Sequence, residues 1–114
     1  MTTQSPYVPD RGDFVWIDFD PQAGREQAGR RPGLVLSPRM YNAAARLALI
    51  CPITSRAKGY TYEVALPAGL SVSGVVLADH VKSMDWSVRR AVFITAAPVA
   101  VVDEVRVKLG TLLS

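Results

Sequence analysis

The sequence predicts a mainly β domain of the α+β class, in which a compact antiparallel barrel or sandwich carries one helix packed against it. Three observations support this fold class. Five or six short segments are rich in β-branched and aromatic residues and are bounded by glycine or proline, as strands are. The C-terminal segment instead repeats its apolar residues at helical spacing. The length of 114 residues fits a single domain, residues 1–114.

The first half of the chain predicts three strands and a short helix. Residues 13–19 alternate aromatic and β-branched residues and are followed closely by Pro21, which is typical of a strand that ends at a breaker. Residues 33–37 and 46–53 are mostly apolar, as in strands that are buried on both faces. A short helical turn at residues 40–45 separates these two strands.

The second half predicts three further strands and the terminal helix. Large side chains alternate with smaller ones over residues 60–66, a period of two that predicts a strand with one buried face. Residues 74–78 and 90–95 predict two more strands. After Pro98 the apolar residues fall three and four positions apart, which predicts an amphipathic helix at residues 99–113.

Residues 20–31 predict a loop. This segment contains Pro21, Gly24 and Gly29 and hardly any large apolar side chain. Loops of about a dozen residues inside a compact domain are usually functional or mobile, so this segment is the first place to look for a site.

Composition excludes several classes of protein. Apolar residues make up 49% of the chain and charged residues 20%, which is enough for a core and is not typical of disorder. No apolar run approaches the ~20 residues that span a membrane, and we expect no secretory signal, because the segment before Asp10 has neither a positive charge nor an apolar stretch. One cysteine and one histidine do not supply a zinc site. We therefore expect a cytoplasmic protein with no membrane contact, no metal and no cofactor.

The positive charge is concentrated in one part of the chain. The net charge is +3, yet residues 11–58 hold eight Lys or Arg against four Asp or Glu, and residues 59–114 hold five of each sign. A local basic excess permits binding to a polyanion such as nucleic acid, although it does not demand it.

Two polar clusters flank the predicted strands, at residues 24–33 and 54–59. Arginine presents a planar fork of donors that fits phosphate oxygens, and hydroxyl groups can complete a phosphate site. Arg31 precedes Pro32, which favours an extended backbone and fixes the direction of the side chain. The alternative is that these residues are solvated loop charges. The chemistry-bearing members are Arg25, Glu26, Arg30, Arg31, Thr54, Ser55, Arg56 and Lys58.

Six separated motifs follow one another along the chain. They are VPDRGDFVWIDFDP (8–21), EQAGRRPGLVLSP (26–38), MYN (40–42), PITS (52–55), KG (58–59) and LADHVKS (77–83). Together these motifs resemble the MazF/PemK toxin family, and the resemblance extends over residues 7–113. Several motifs in one order are far more specific than a single short pattern.

The resemblance implies a small SH3-like antiparallel barrel of the MazF/Kid/CcdB plasmid-toxin type with a C-terminal helix, assembled as a homodimer. The implied activity is that of a sequence-specific, ribosome-independent and metal-independent endoribonuclease, the toxin of a toxin–antitoxin pair. Such a toxin cleaves single-stranded messenger RNA and so inhibits translation and growth. The implied partners are single-stranded RNA and an acidic antitoxin of the MazE type.

The resemblance also implies the site residues. The catalytic arginine and threonine of the family fall on Arg31 and Thr54, and a family acid falls on Glu26. We expect Arg31 to neutralise charge on the phosphate and Thr54 to donate a hydrogen bond to a non-bridging oxygen. The expected RNA-binding residues are Gln27, Arg30, Ser55, Arg56, Lys58, His80 and Lys82.

The sequence does not assign the general acid or the general base of the implied reaction. A carboxylate with the ordinary glutamate pKa of ~4.3 is a weak base at neutral pH, so Glu26 either accepts the proton or orients its neighbours. Arginine is a poor proton donor, which argues against Arg31 as the general acid. His80 has the right side chain for a base, but members of the family carry glutamine there, so substrate contact or a plain surface position is the better interpretation.

Three further residues have competing interpretations. Trp16 can stack on a base, although on an apolar strand it is more often part of the core. Trp86 lies among polar residues, where stacking, a dimer contact and simple packing are equally good. Cys51 is expected to be a small buried apolar residue.

Two other functions remain as alternatives from the sequence alone. A toxin of the same fold can bind DNA gyrase through a C-terminal Trp-Gly-Ile, but this chain ends in Thr-Leu-Leu-Ser. A non-catalytic barrel that binds single-stranded nucleic acid needs a basic groove with stacking aromatics, and aromatic residues make up only 8% of the chain.

Overall fold

Seven strands and two α-helices follow one another along residues 7–19 and 29–114, the part of the chain that this computed structural model describes. In chain order the elements are β1 (Asp13–Phe19), β2 (Gly29–Val35), α1 (Arg39–Ala45), β3 (Ala48–Thr54), β4 (Glu63–Ala65), β5 (Val75–Leu77), a 3₁₀ turn (Ala78–His80), β6 (Lys82–Met84), β7 (Val92–Ala96) and α2 (Val99–Leu113).

The strands form one antiparallel sheet in the order β4-β5-β3-β2-β1-β7. Strand β3 is central, because it pairs with β2 on one side, and on the other side with β6 near its start and with β5 near its end. Over the described residues the hydrogen-bonded ladder ends at β4 and β7 and does not close into a ring. The predicted small β fold with a C-terminal helix is confirmed, with a sheet that is hydrogen-bonded as an open one.

Both faces of the central strands are buried, which is why their sequences are nearly continuous apolar runs. On one face Phe14, Leu34 and Ile53 pack with Val101 and Val105 of α2. On the other face a second cluster contains Val15, Ile17, Phe19, Val35, Ala48, Ile50, Met84 and Trp86. Neighbouring residues of β1 therefore belong to different clusters, as the alternation of side chains along a strand requires.

The predicted loop at residues 20–31 is too long at its C-terminal end. The chain is already in strand β2 from Gly29, and Arg31 lies opposite Ile17 of β1. Pro32 sits inside this strand opposite Trp16, whereas the pairing of β2 with β3 begins only at Gly33. Pro32 therefore has a strand on one side only, a position in which a missing N–H is tolerated.

The predicted strand at residues 60–66 is mostly wrong. Only Glu63–Ala65 forms a strand, and Tyr60 lies in the preceding turn with 58% of its surface exposed. The physical reason is a local competition for hydrogen bonds. The Glu63 carboxylate accepts from the backbone N–H groups of Lys58 and Gly59, which folds the chain back before the strand begins.

The other predicted boundaries differ by smaller amounts. The strand expected at residues 74–78 is Val75–Leu77, and the one expected at residues 90–95 is Val92–Ala96, because Arg90 has a positive φ of 58° and ends a turn. The strand Lys82–Met84 was not predicted, since three residues give too short a pattern. The strand at 13–19, the helical turn near 40–45 and the helix at 99–113 are confirmed.

Helix α1 is capped by a residue far away in the sequence. Its N-cap residue, Pro38, has no side-chain acceptor, and the Asp10 carboxylate instead accepts the backbone N–H of Arg39 at 2.8 Å. A carboxylate at this end is also favoured by the helix dipole. The helix ends at Arg46, whose φ is 61° and whose guanidinium carbon lies 5.2 Å from the centre of the Trp86 ring.

Asn42 is a fully buried polar residue that joins four segments of the chain. Its Nδ2 donates to the carbonyl oxygens of Pro9 (2.8 Å) and Ser37 (2.9 Å), and its Oδ1 accepts from Ser37 Oγ (2.6 Å). Its carbonyl oxygen accepts from Trp86 Nε1 at 3.1 Å. Ser37 Oγ in turn accepts the N–H of Leu49, so this network fixes α1 against β3.

We expect Asn42→Ala to lower the free energy of unfolding by about 2–4 kcal/mol, because it leaves several buried polar groups without partners. Urea unfolding followed by circular dichroism measures this loss. Met40→Ala is the matched control on the same helix, since Met40 is 86% exposed and its loss is expected to change the value by no more than about 0.5 kcal/mol. Equal stabilities for the two variants would contradict the role given to the network.

Helix α2 covers the first cluster with Val101, Val102 and Val105. Lys108 near its end donates from Nζ to the carbonyl oxygen of Glu63 at 2.9 Å, which ties the helix to the start of β4. Beyond this point Leu113 is 79% exposed. Neither α1 nor α2, nor any other helix in residues 7–19 and 29–114, is both long enough and apolar enough to cross a membrane.

Candidate active site

A cleft of about 460 Å³ opens where β2, the end of β3 and the turn after β3 meet. We call it the Arg31 cleft. Six of the residues that the sequence singled out line it together, namely Arg31, Thr54, Ser55, Arg56, Lys58 and His80. The remaining lining residues, which the sequence analysis did not select, are Tyr60, Glu63 and Leu77. The two polar clusters that are separated in sequence therefore form one site.

Thr54 is placed by the end of a strand. It is the last residue of β3, where it pairs with Val75 of β5, and its Oγ1 accepts the backbone N–H of Arg56 at 3.2 Å. A hydroxyl that bonds two residues ahead turns the chain away from the ladder. The same hydrogen bond thus ends the strand and brings Arg56 to the cleft.

Gly74, the residue before the strand partner Val75, also packs closely against the backbone of Thr54. Its φ is +111°, and a Cβ atom at this position would lie 2.2 Å from the carbonyl oxygen of Thr54. Two backbone segments can approach this closely only because residue 74 has no side chain. The backbone of Thr54 therefore lies against two consecutive residues, Gly74 and its strand partner Val75.

Arg31 is a strand residue and not the loop residue that the sequence predicted. It lies on β2 opposite Ile17 and is partly buried. A side chain on a paired strand has a defined starting direction, which an arginine in a flexible loop lacks. Arg31 therefore enters the cleft from the rigid part of the sheet.

Glu63 brings a carboxylate into an otherwise cationic cleft. Its Oε1 and Oε2 lie 3.2 and 3.0 Å from the N–H of Lys58, and Oε1 accepts the N–H of Gly59 at 3.0 Å. This carboxylate holds the turn that carries Lys58 and Tyr60. Glu63 was not predicted as a site residue, because the alternation around it indicates an ordinary strand. The usable signal is an acid a few residues after a Lys-Gly pair.

His80 ends the 3₁₀ turn that follows β5. Its side chain is 29% exposed, and Nε2 lies 4.0 Å from Oδ1 of its neighbour Asp79. The residue thus lines the cleft, as a substrate-contacting residue would. The part of the chain that the structure describes holds no group of three His, Cys, Asp or Glu side chains that could bind a metal.

Arg30 does not line the Arg31 cleft. It makes an ion pair with Asp18 at 3.0 Å and donates to the carbonyl oxygen of Arg90 at 2.8 Å, while Arg90 also binds Asp18. Hydrogen bonds from Arg90 and Arg30 hold the pKa of Asp18 below its usual range. Arg30 belongs instead to a second cleft, described below.

Of the three other expected site residues, the structure describes only Lys82. Lys82 begins β6 opposite Ile50 and does not line the Arg31 cleft. Glu26 and Gln27 lie outside the described residues.

The second cleft, of about 370 Å³, adjoins the first and shares Arg31 and Ser55 with it. Trp16 lines it and is 43% exposed, so the expectation that Trp16 is a core residue is wrong. It lies two positions beyond Phe14 on the same face of β1, past the part of that face that the core covers. The remaining lining residues are Arg30, Pro32, Ile53, Ser71, Val72 and Ser73.

Trp86 and Cys51 are both buried residues of the core. Trp86 is 6% exposed and its indole N–H is used by Asn42, so packing is the correct interpretation among those considered. Cys51 is fully buried, as expected, and its burial raises the pKa of the thiol to about 12, so it stays protonated. Neither residue faces the Arg31 cleft.

The described residues thus form a small antiparallel sheet with a C-terminal helix and a cationic, hydroxyl-lined cleft. The family model described as PemK-like, MazF-like toxin of type II toxin–antitoxin system matches residues 10–113. The chain therefore belongs to the PemK-like, MazF-like toxin family. The resemblance that the motifs indicated is confirmed.

Individual relatives agree with this assignment. The chain is 54% identical over 87 residues to the endoribonuclease toxin MazF of Escherichia coli K12, covering 76% of this chain and 78% of that protein. It is 32% identical over 109 residues to the endoribonuclease PemK of Escherichia coli, covering 92% and 82% of the two chains.

Solved structures agree as well. Crystalline MazF from Deinococcus radiodurans matches with a TM-score of 0.91 at 62% identity, over 95% of this chain and 98% of that one. A MazE–MazF crystal structure from the same organism matches with a TM-score of 0.85 at 56% identity, over 96% and 98%.

Proposed function

We propose that the Arg31 cleft is the catalytic site of this chain, an endoribonuclease toxin of the MazF/PemK family, and that it cuts single-stranded messenger RNA in the cytoplasm at specific sequences without the ribosome. The observation that carries the proposal is the convergence of Arg31 and Thr54, from two different strands, on one cleft with Arg56 and Lys58. Cleavage of messenger RNA inhibits translation and growth.

The proposed reaction is an internal transesterification. The ribose 2′-hydroxyl loses its proton and attacks the adjacent phosphorus, and the bond to the 5′-oxygen breaks as that oxygen gains a proton. The products are a 2′,3′-cyclic phosphate and a 5′-hydroxyl. Negative charge grows on the non-bridging oxygens in the transition state, and preorganised donors aimed at those oxygens lower the barrier.

Arg31 and Thr54 have the chemistry that this transition state needs. Arg31 can direct two N–H donors at the phosphate oxygens, and the Thr54 hydroxyl supplies another. Arg56 and Lys58 line the same cleft and add positive charge. Because side chains supply the charge that a metal ion supplies in other nucleases, the proposed reaction needs neither a metal nor another cofactor.

The remaining roles follow from position. We assign Ser55, Arg56, Lys58 and His80 to RNA binding, since all four line the cleft. Arg30 and Lys82, which do not line the cleft, and Gln27 complete the proposed RNA-binding set. Glu26 is proposed as the group that accepts the 2′-hydroxyl proton, in keeping with the family acid at its position.

We infer two protein partners. The first is a second copy of this chain, because apolar side chains are exposed on the edge strand β7 and at the end of α2, among them Phe93 (48%), Val107 (68%) and Leu113 (79%). The second is an acidic antitoxin of the MazE type, since a cationic cleft attracts an acidic chain and similar toxins are seen in MazE–MazF crystal structures.

The test is cleavage of a long single-stranded RNA by the purified protein, once in EDTA and once in magnesium. We expect the same discrete fragments in both, with 5′-hydroxyl ends that polynucleotide kinase labels without prior phosphatase treatment. Thr54→Ala protein prepared in the same way is the control for contaminating nucleases. A strict requirement for magnesium would refute the metal-free mechanism, and intact RNA under both conditions would refute the activity.

A further inference from the structure

The second cleft combines an apolar floor, an exposed aromatic wall and several polar lining residues. Its floor is apolar, because Ile53 and Val72 are 2% and 4% exposed and belong to the core. One wall is the indole of Trp16. Ser55, Ser71 and Ser73 also line it, together with Arg30, Arg31 and Pro32. We call this site the Trp16 pocket.

The exposure of Trp16 is unusual for its strand. On the same face of β1, Phe14 is fully buried, whereas Trp16 keeps 43% of its surface in contact with solvent. Leaving a large aromatic surface in water forgoes the stabilisation that burial would bring. An exposed indole that lines a concave site of about 370 Å³ therefore has the character of a stacking platform.

Arg30, one of the two arginines that line the Trp16 pocket, is held in place by hydrogen bonds within the protein. Arg30 donates from one terminal nitrogen to Asp18 and from the other to the carbonyl oxygen of Arg90. Arg90 closes the group by binding the same carboxylate at 2.8 Å. These hydrogen bonds fix the position of the Arg30 guanidinium, which contributes positive charge to the pocket.

The pocket is continuous with the site of the proposed reaction. Arg31 and Ser55 line both the Trp16 pocket and the Arg31 cleft. A nucleotide whose phosphate meets Arg31 therefore has a neighbour in the strand within reach of the indole. Single-stranded RNA exposes its base faces, and proteins bind such bases by stacking them on aromatic side chains.

We propose that the Trp16 pocket binds one unpaired nucleobase of the RNA, next to the nucleotide at the scissile phosphate, with the base stacked on the Trp16 indole. The serine hydroxyls face the edge of that base, and Arg30 lies toward the flanking phosphate. This inference rests on the proposed function and names a base-binding subsite for it. A stacked base is worth about a tenfold change in affinity or more.

The first experiment measures cleavage kinetics on one single-stranded RNA. Trp16→Ala is expected to raise KM about tenfold, with a smaller change in kcat. Trp16→Phe, which retains a stacking face, is expected to recover most of the loss, whereas Trp16→Leu is not. Tyr41→Leu is the matched control, because Tyr41 is a half-exposed aromatic on α1 that lines neither cleft. A KM for Trp16→Ala equal to that of the control would overturn the proposal.

The second experiment does not depend on cleavage. The chain has two tryptophans, and Trp86 is buried, so acrylamide quenching of the fluorescence reports mainly on Trp16. A pool of random-sequence 2′-O-methyl RNA heptamers, which cannot be cleaved, is expected to protect Trp16 from acrylamide. Absence of protection while the oligonucleotides bind would overturn the proposal.

The two experiments separate the subsite from the activity. Wild-type cleavage of RNA together with an unprotected Trp16 refutes the subsite and leaves the proposed function in place. Protection of Trp16 without any cleavage supports base binding and refutes the nuclease. Protection by an acidic peptide but not by the oligonucleotides assigns the pocket to a protein partner and overturns the proposal.

Discussion

Arg31→Ala is expected to lower the rate of RNA cleavage by about 10²–10³-fold, because it removes a preorganised donor from the charge that develops on the phosphate. Arg31→Lys is expected to recover only a part of this loss. Lysine keeps the charge but lacks the planar fork that bonds two oxygens at once. Initial rates on a fluorogenic single-stranded RNA measure both effects.

The position of Arg31 on β2 requires a check of the fold. Arg31 is partly buried and lies opposite Ile17, so its removal also affects local packing. Thermal unfolding by circular dichroism shows whether the variant remains folded at the assay temperature. Arg39→Ala serves as the matched control, since the Arg39 side chain is 61% exposed and lines neither cleft. Activity of Arg31→Ala close to that of this control would place the chemistry elsewhere.

Gly74→Ala is expected to have the second large effect, on both stability and activity. The new Cβ would lie 2.2 Å from the carbonyl oxygen of Thr54 and 2.9 Å from its carbonyl carbon, so backbone must move. The positive φ of residue 74 adds strain for any L side chain. We expect a loss of about 2–4 kcal/mol in the free energy of unfolding.

The activity of Gly74→Ala is expected to fall by about 10²-fold even where the protein is folded, because a shift of about 1 Å in a catalytic group has that consequence. Gly69→Ala separates the two causes. Gly69 also has a positive φ, of 91°, but a Cβ there would meet no atom within 4 Å. It therefore reports backbone strain alone, about 1–2 kcal/mol, with unchanged cleavage. Equal behaviour of the two variants in urea unfolding and in cleavage assays would show that the contact with Thr54 is unimportant.

Much of the fold follows from the sequence because its signals are strong and local. The apolar runs of β1 and β3 and the helical spacing around Val101 and Val105 each predict an element that the structure contains. Thr54 could be selected since it directly follows such a run. Arg31 could be selected because it precedes a proline and matches a family motif, although its place in a strand was not foreseen.

The errors arise where distant parts of the chain decide the local structure. Pro32 predicts the end of a loop, yet pairing with β1 extends the strand back to Gly29. The alternation before Glu63 predicts a strand, yet its carboxylate bonds to backbone amides and forms a turn. The exposure of Trp16 depends on where the core ends, which no window of sequence around Trp16 contains.

The Arg31 cleft and the adjoining Trp16 pocket are lined partly by residues of paired strands and partly by residues of connecting segments. Arg31 and Thr54 lie on paired strands whose neighbours are core residues. The segments 55–60 and 71–73 lie outside the strands. Apart from Val72, which belongs to the core, mutations in these segments disturb little packing, so on the proposed function selection can change the bases that meet them while the strands preserve the chemistry. A scaffold divided in this way can acquire new target sequences in small steps and remain a working nuclease at each one.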